Sequence, residues 1–182
     1  SKKYHLLKVG GHMKTIVRKH YLVRIIELNG TPDIKIITGI RRSGKSKLMD
    51  LIEKLHEIEG IQRIRIGSLD PRIVTEDFAK RLSALSKICP HFHLSLQSGC
   101  DATLKRMNRH YTAEEYLQSV ELLRKYFERP AITTDVIVGF AQETEEEFLE
   151  TKAFLEKVSF YEMHIFKYSK RKGTIAAGLP GQ

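Results

Sequence analysis

The chain has 182 residues, with 31 lysines and arginines against 22 aspartates and glutamates, a net charge of +9. That length suits one good core, or one domain with part of another, because domains cluster near roughly 100–150 residues. No apolar run approaches the roughly 20 residues of a membrane span, and the opening SKKYHLLKVGGH lacks the apolar core and cleavage pattern of a secretory signal. The sequence therefore reads as a soluble, cytoplasmic protein with no membrane partner. Its two cysteines, Cys89 and Cys100, stand eleven positions apart. That spacing fits no CxxC-type metal site, and the pair reads as reduced thiols. The positive charge is unevenly placed: residues 1–57 hold 13 basic against 5 acidic side chains, and residues 58–182 hold 18 against 17. A general polyanion surface is thus not indicated for the later part, where the cations are clustered instead.

In chain order, residues 13–28 carry apolar side chains at roughly helical spacing, and Asn29-Gly30-Thr31-Pro32-Asp33 stops the pattern. Residues 34–38, IKIIT, read as a short β-branched strand that runs into Gly39-Ile40-Arg41-Arg42-Ser43-Gly44-Lys45-Ser46, a complete GxxxxGKS phosphate loop. In such a loop Gly39 and Gly44 let backbone N–H groups face a phosphate. Lys45 reaches the β and γ oxygens, and Ser46 holds Mg²⁺ at a helix N-terminus. ATP with Mg²⁺ is the ligand this pattern implies. The apolar strand ending in an aspartate that a working nucleotidase also needs is not found. Residues 13–49 resemble the opening of a prokaryotic P-loop ATPase of the AAA type.

From Asp50 onward the pattern settles into a regular alternation. Helix is expected over residues 50–58, strand over 63–66, helix over 75–86 with Thr75 as cap, and strand over 91–96. Helix follows over 112–127, with Thr112 and Glu115 placed as a capping box, then strand over 131–138, helix over 143–158 and strand over 161–168. Between the strand at 91–96 and the next helix lie about a dozen polar and cationic residues, longer than the usual connection of about 2–6. This is expected to be a functional loop. The order βαβαβαβ, preceded by the phosphate-loop βα unit, argues for a parallel sheet with right-handed helical crossovers. The fold class is α/β: a partial, open TIM-like barrel with the P-loop unit on its N-terminal side. The strand exits GSLDP, LQSGC, GFAQE and YSKRKG then gather at one edge, where such folds put their ligands.

The stretches RIRIGSLDP, KICPHFHLSLQSGCDATLKRMNRHYT, AITTDVIVGF with ETEEEF, and HIFKYSKRKGTIAA are similar to the second half of the barrel of the radical S-adenosylmethionine methylthiotransferases. They resemble most the bacterial branch that modifies threonylcarbamoyladenosine beside the tRNA anticodon. The resemblance covers residues 50–182. It implies that Asp70, Gln97, Ser98, Val136, Ile137 and Tyr168 line a pocket for S-adenosylmethionine. It also implies that Lys105, Arg106, Arg109 and Tyr111 face substrate RNA, the anticodon stem-loop. Physical chemistry agrees with that assignment in kind, since cations hold phosphates and an aromatic ring stacks on an unpaired base.

Two departures stand beside the matches. The family holds a 4Fe–4S cluster with three cysteines spaced CxxxCxxC, and such clusters need thiolate ligands, which Cys89 and Cys100 do not supply in that pattern. Where the family has GFPGE, this chain has Gly139-Phe140-Ala141-Gln142-Glu143. The chain accordingly reads as a join near Met49 and Asp50, with a P-loop fragment over 1–49 and a half barrel over 50–182. Open sheet edges would favour a homo-oligomer.

Overall fold

The structure is a computed structural model and describes residues 45–171 and 173–180. The expected strand at 34–38 and the loop glycines Gly39 and Gly44 lie outside the described residues. Lys45 and Ser46 open the first helix, α1 (Lys45–Glu57). This helix runs through Met49 and Asp50 without a break. Met49, Ile52 and Leu55 recur on one buried face, the spacing that makes a helix dock. On the outer side, Arg81 reaches back to Glu53 at 2.8 Å, and the Lys87 ammonium donates to the His56 and Ile58 carbonyls at 2.6 and 2.9 Å. The last two bonds satisfy carbonyls at the end of α1 and after it that have no intrahelical partner.

Four strands follow, β1 (Ile64–Leu69), β2 (Ile88–Leu94), β3 (Ala131–Val138) and β4 (Glu162–Lys167). They pair in sequence order and every pairing is parallel. The crossovers contain α2 (Glu76–Ser83), then α3 (Asp101–Arg106) with α4 (Ala113–Tyr126), then α5 (Glu145–Val158). Strand order equal to chain order, with a helix in each crossover, is the arrangement of a barrel wall. Three threonines start the long crossover helices. Thr75 accepts from the Phe78 N–H, while Thr112 with Glu115 and Thr144 with Glu147 form full capping boxes. Each satisfies N–H groups that a helix start leaves open, about 1 kcal/mol apiece.

The core lies between the helices and one face of the sheet. Phe92, Leu94 and Leu96 from the β2 line, Ile132 and Val136 from β3, and Tyr116, Val120 and Leu123 from α4 are all buried. Phe92 meets Phe127 edge to face at 4.8 Å, and the ring of Tyr116 lies between Phe154 and Phe160 at 6.2 and 6.1 Å. The Tyr116 hydroxyl donates to the Leu94 carbonyl at 3.0 Å, which satisfies the one polar atom that this ring brings into the core. Burial pushes that phenol well above its ordinary pKa. β4 differs from the other strands, since all six of its residues are exposed, among them Ile165 at 58 % and Phe166 at 53 %. β4 is the last strand of the sheet in the order β1-β2-β3-β4 among the described residues.

Candidate functional site

The exits of all four strands converge on one edge because the strands are parallel. After β2 the chain continues in register with β3: Gln97 bridges Val136, its N–H donates to the Asp135 carbonyl at 2.9 Å, and its carbonyl accepts from Ile137 N–H at 2.9 Å. Gln97 is nearly buried and sits at φ 76°. Left-handed backbone at a non-glycine residue costs of order 1–3 kcal/mol and persists where surrounding contacts over-determine it. Ser68 at the end of β1 is left-handed too, at φ 50°, and Gly139 and Gln142 after β3 stand at φ 69° and 63°. Strained backbone is thus gathered at the same edge on three strands.

Beyond Gln97 the chain is clamped against α5. Ser98 and Thr151 share a hydrogen bond at 3.0 Å, the Gly99 N–H donates to Thr151 at 3.2 Å, and the Cys100 N–H donates to Ser98 at 3.2 Å. A Cβ on Gly99 would stand 2.7 Å from the Cβ of Phe154. Only glycine fits there, because the contact is with the root of a packed side chain and not with a movable tip. Ser98 is fully buried. Its hydroxyl is committed to Thr151 of α5. Val136 is likewise fully buried among the helix-facing residues, whereas Ile137 projects from the opposite face and is half-exposed. Adjacent strand residues point to opposite faces, so of the two apolar candidates only Ile137 faces away from the helices.

Asp70 caps the short 3₁₀ turn Pro71–Ile73 and accepts from the Arg72 backbone N–H at 3.0 Å and from its guanidinium at 2.9 and 2.6 Å. Its carboxylate therefore meets Arg72 first. Tyr168 pairs its N–H with the Val138 carbonyl at 2.8 Å and sets its ring edge-on to Phe140 at 4.9 Å. The Tyr168 hydroxyl is a buried atom with no protein partner, which leaves it a polar group for a ligand to satisfy. The altered turn after β3 is ordered: Ala141 is buried, and the Gly139 N–H donates to the Glu143 carboxylate.

The segment after LQSG, expected as a loop, contains α3. Thr103 and Leu104 of this helix are buried, and Asn108 ends it in the left-handed conformation at φ 56°, as asparagine readily does. The four residues assigned to RNA are separated by this turn. Lys105 is exposed. Arg106 instead forms a two-pronged ion pair with Glu147 of α5, Nη1 to Oε1 at 2.8 Å and Nη2 to Oε2, with Thr103 bonded to both partners. The Arg106 guanidinium holds Glu147 below the usual carboxylate range, and Glu147 raises Arg106 in turn. Arg109 is half-buried. Tyr111 is 7 % exposed, and its hydroxyl donates to the carbonyls of Ser95 and Leu96 at 2.7 and 2.9 Å. Its ring is a buried prop under the strand exit.

The sequence reading missed Thr151, Phe154 and Glu147, the α5 residues that hold this edge together. Glu147 was visible only as the second half of a Thr144 capping box. His93 was missed as well: it contacts Thr133 at 3.1 Å and Asp135 at 3.4 Å, and the alternation in HFHL already put it opposite the core. Both cysteines are free and buried, and burial pushes the Cys100 thiol above its ordinary pKa. Among the described residues no three His, Cys, Asp or Glu side chains stand close enough to hold a metal ion. Two cysteines eleven positions apart do not fit a three-thiolate cluster.

With this geometry in hand, the likenesses to known proteins are specific. The chain is 46 % identical over 132 residues to the tRNA-2-methylthio-N(6)-dimethylallyladenosine synthase of Thermoanaerobacter sp. (strain X514), covering 72 % of this chain and 28 % of that protein. It is 41 % identical over 154 residues to the threonylcarbamoyladenosine tRNA methylthiotransferase MtaB of Bacillus subtilis (strain 168), covering 81 % and 34 %. The chain therefore spans about a third of the length of the curated relatives it matches. The radical SAM coproporphyrinogen III oxidase HemN of Escherichia coli shares the fold at 20 % identity, with a TM-score of 0.55 over 74 % of this chain and 31 % of that one. The family model described as the Radical SAM superfamily matches residues 16–155, and the chain belongs to that superfamily.

Proposed function

We propose that this chain is part of a tRNA methylthiotransferase that binds S-adenosylmethionine at the strand exits and meets an anticodon stem-loop with the cations of the α3 segment. Its substrate in this reading is threonylcarbamoyladenosine. The observation that carries the proposal is the edge itself, where Gln97, Ile137 and Tyr168 stand at neighbouring exits and the exposed Lys105 belongs to the next helix. Ile137 and the orphaned Tyr168 hydroxyl suit an aromatic and polar ligand such as the cofactor's adenine, while Asp70 stands at the exit of the first strand. The cofactor carries the group-transfer chemistry, and the protein binds and orients it. Lys105 and Arg109 would hold phosphates, with Arg106 keeping the helix in place.

This chain's own thiols do not fit the iron–sulfur cluster of the family, so the chain alone is expected to bind and not to turn over. Anaerobic reconstitution with iron, sulfide, reductant, S-adenosylmethionine and anticodon-stem RNA, followed by mass analysis of the nucleosides, tests this. Methylthio-adenosine formed catalytically by the chain alone would refute it. The exposed β4 edge offers a second copy a strand to pair with, which sedimentation would detect. A second reading, ATP with Mg²⁺ bound through Gly39, Gly44, Lys45 and Ser46, rests on the complete GxxxxGKS motif.

A further inference from the structure

Toward the strand starts the face of the sheet opposite the helices is polar on all four strands, whereas nearer the exits it carries Ile137 and, in register with it, Phe166. Arg65 on β1, His91 and His93 on β2, Thr133 and Asp135 on β3 occupy it, and register adds Glu162 beside Thr133 and His164 beside Asp135 on β4. His93 is satisfied, with Thr133 on one ring nitrogen and Asp135 on the other. Arg65 and His91 are not. The Arg65 Nε lies 3.2 Å from His91 Nδ1, and its Nη2 lies 2.8 Å from His91 Nε2. A guanidinium has donors only, and a neutral imidazole has one acceptor nitrogen. One of the two contacts therefore sets N–H against N–H and lacks an oxygen to receive both. Burial, and after it the Arg65 charge, hold His91 below the ordinary histidine pKa, so the ring stays neutral and the surplus donor remains.

We propose that Arg65 and His91 form a carboxylate-binding subsite, and that this polar face accepts an N6 substituent bearing a carboxylate, threonylcarbamoyl, in preference to dimethylallyl. The assignment rests on the tRNA-methylthiotransferase reading above. Laying a dimethylallyl group over Arg65 and His91 would desolvate donors that have no protein acceptor, at about 1–3 kcal/mol for each group left unsatisfied. A threonylcarbamoyl group brings a carboxylate for the surplus donors and a hydroxyl and amides for the row above. The six steps from His91 to Gln97 span about 20 Å of strand, so the subsite lies well below the exits and leaves length between them for a modified nucleobase.

The test is titration of the whole chain with N6-threonylcarbamoyladenosine, N6-dimethylallyladenosine and inorganic phosphate, following the ring signals of His91 and His93 by NMR, assigned with His91→Gln and His93→Gln. The expected result is a His91 shift with the threonylcarbamoyl nucleoside and none with the dimethylallyl one. Arg65→Met should weaken that binding at least tenfold, with Arg65→Lys in between. Arg65 is exposed, and an unmoved His93 signal in the free variants checks that they fold. Equal shifts with both nucleosides, unchanged affinity in Arg65→Met, or saturation by phosphate at the same concentration would each overturn the assignment. Parallel titrations with S-adenosylmethionine and anticodon-stem RNA separate the two readings. Binding of both without a nucleoside shift removes the subsite alone, and a nucleoside shift without either removes the methylthiotransferase reading and leaves the subsite.

Discussion

Arg106 and Lys105 are adjacent in sequence, and the structure gives them opposite duties. Arg106 and Glu147 are 23 % and 16 % exposed as side chains, and both carboxylate oxygens of Glu147 are engaged by the guanidinium. Removing one partner from a fully buried pair costs about 3–5 kcal/mol, because the other charge is left uncompensated. With this residual exposure, Arg106→Gln is expected to cost about 2–4 kcal/mol. For a chain of this size each kcal/mol moves the melting temperature by roughly 2–4 °C, so the midpoint should fall by roughly 4–16 °C. Glu147→Gln can keep the cap on Thr144 and should cost about the same as Arg106→Gln. Glu147→Ala loses the cap as well, adding about 1 kcal/mol. The pH dependence has a definite sign. Glu147 has a depressed folded-state pKa, so its contribution is complete above the unfolded value of about 4.3 and is lost as pH falls through the folded value. The gap in unfolding free energy between wild type and Glu147→Gln should therefore be constant near neutrality and close in acid. Urea unfolding at pH 7, 5, 4 and 3 measures it. A gap that is absent at pH 7, or that widens in acid, would refute the ion-pair argument, and the double variant Arg106→Met/Glu147→Leu should recover most of the loss.

Lys105→Gln should leave stability unchanged within about 0.5 kcal/mol and lower the salt slope of anticodon-stem RNA binding by about 0.7, as read from a filter-binding series in salt. Gly99→Ala should destabilise by about 1–3 kcal/mol, because the new methyl meets Phe154 at its root; calorimetry that finds no change would mean α5 yields freely. Tyr111→Phe removes the donor to two buried carbonyls and should cost about 1–3 kcal/mol, with RNA affinity otherwise preserved, whereas a loss confined to RNA binding would restore a stacking role. Lys45→Ala should abolish any ATP binding by isothermal titration, and equal affinity in the variant would remove the phosphate-loop reading.

The parallel sheet was legible in the residues alone. Alternating strand and helix patterns, Thr75 and the Thr112 capping box, and four Gly- or Ser-bearing exits are local signals, and each depends on neighbours within a few positions. The strand 131–138 agrees with β3 to the residue for that reason. The family resemblance was legible too, because it rests on ordered motifs. What each polar side chain does was decided only by tertiary structure. Nothing near Ser98 in the sequence announces that Thr151, 53 positions later, bonds its hydroxyl. Nothing near Arg106 announces that Glu147, 41 positions later, pairs with it. Period-two alternation puts Val136 and Ile137 on opposite faces, but which face the helices cover follows from the hand of the crossovers and the packing of α4 against Leu94. The strain at Gln97 is of the same kind. Glutamine has no local preference for φ 76°, and the bridge to Val136 on another strand holds it there.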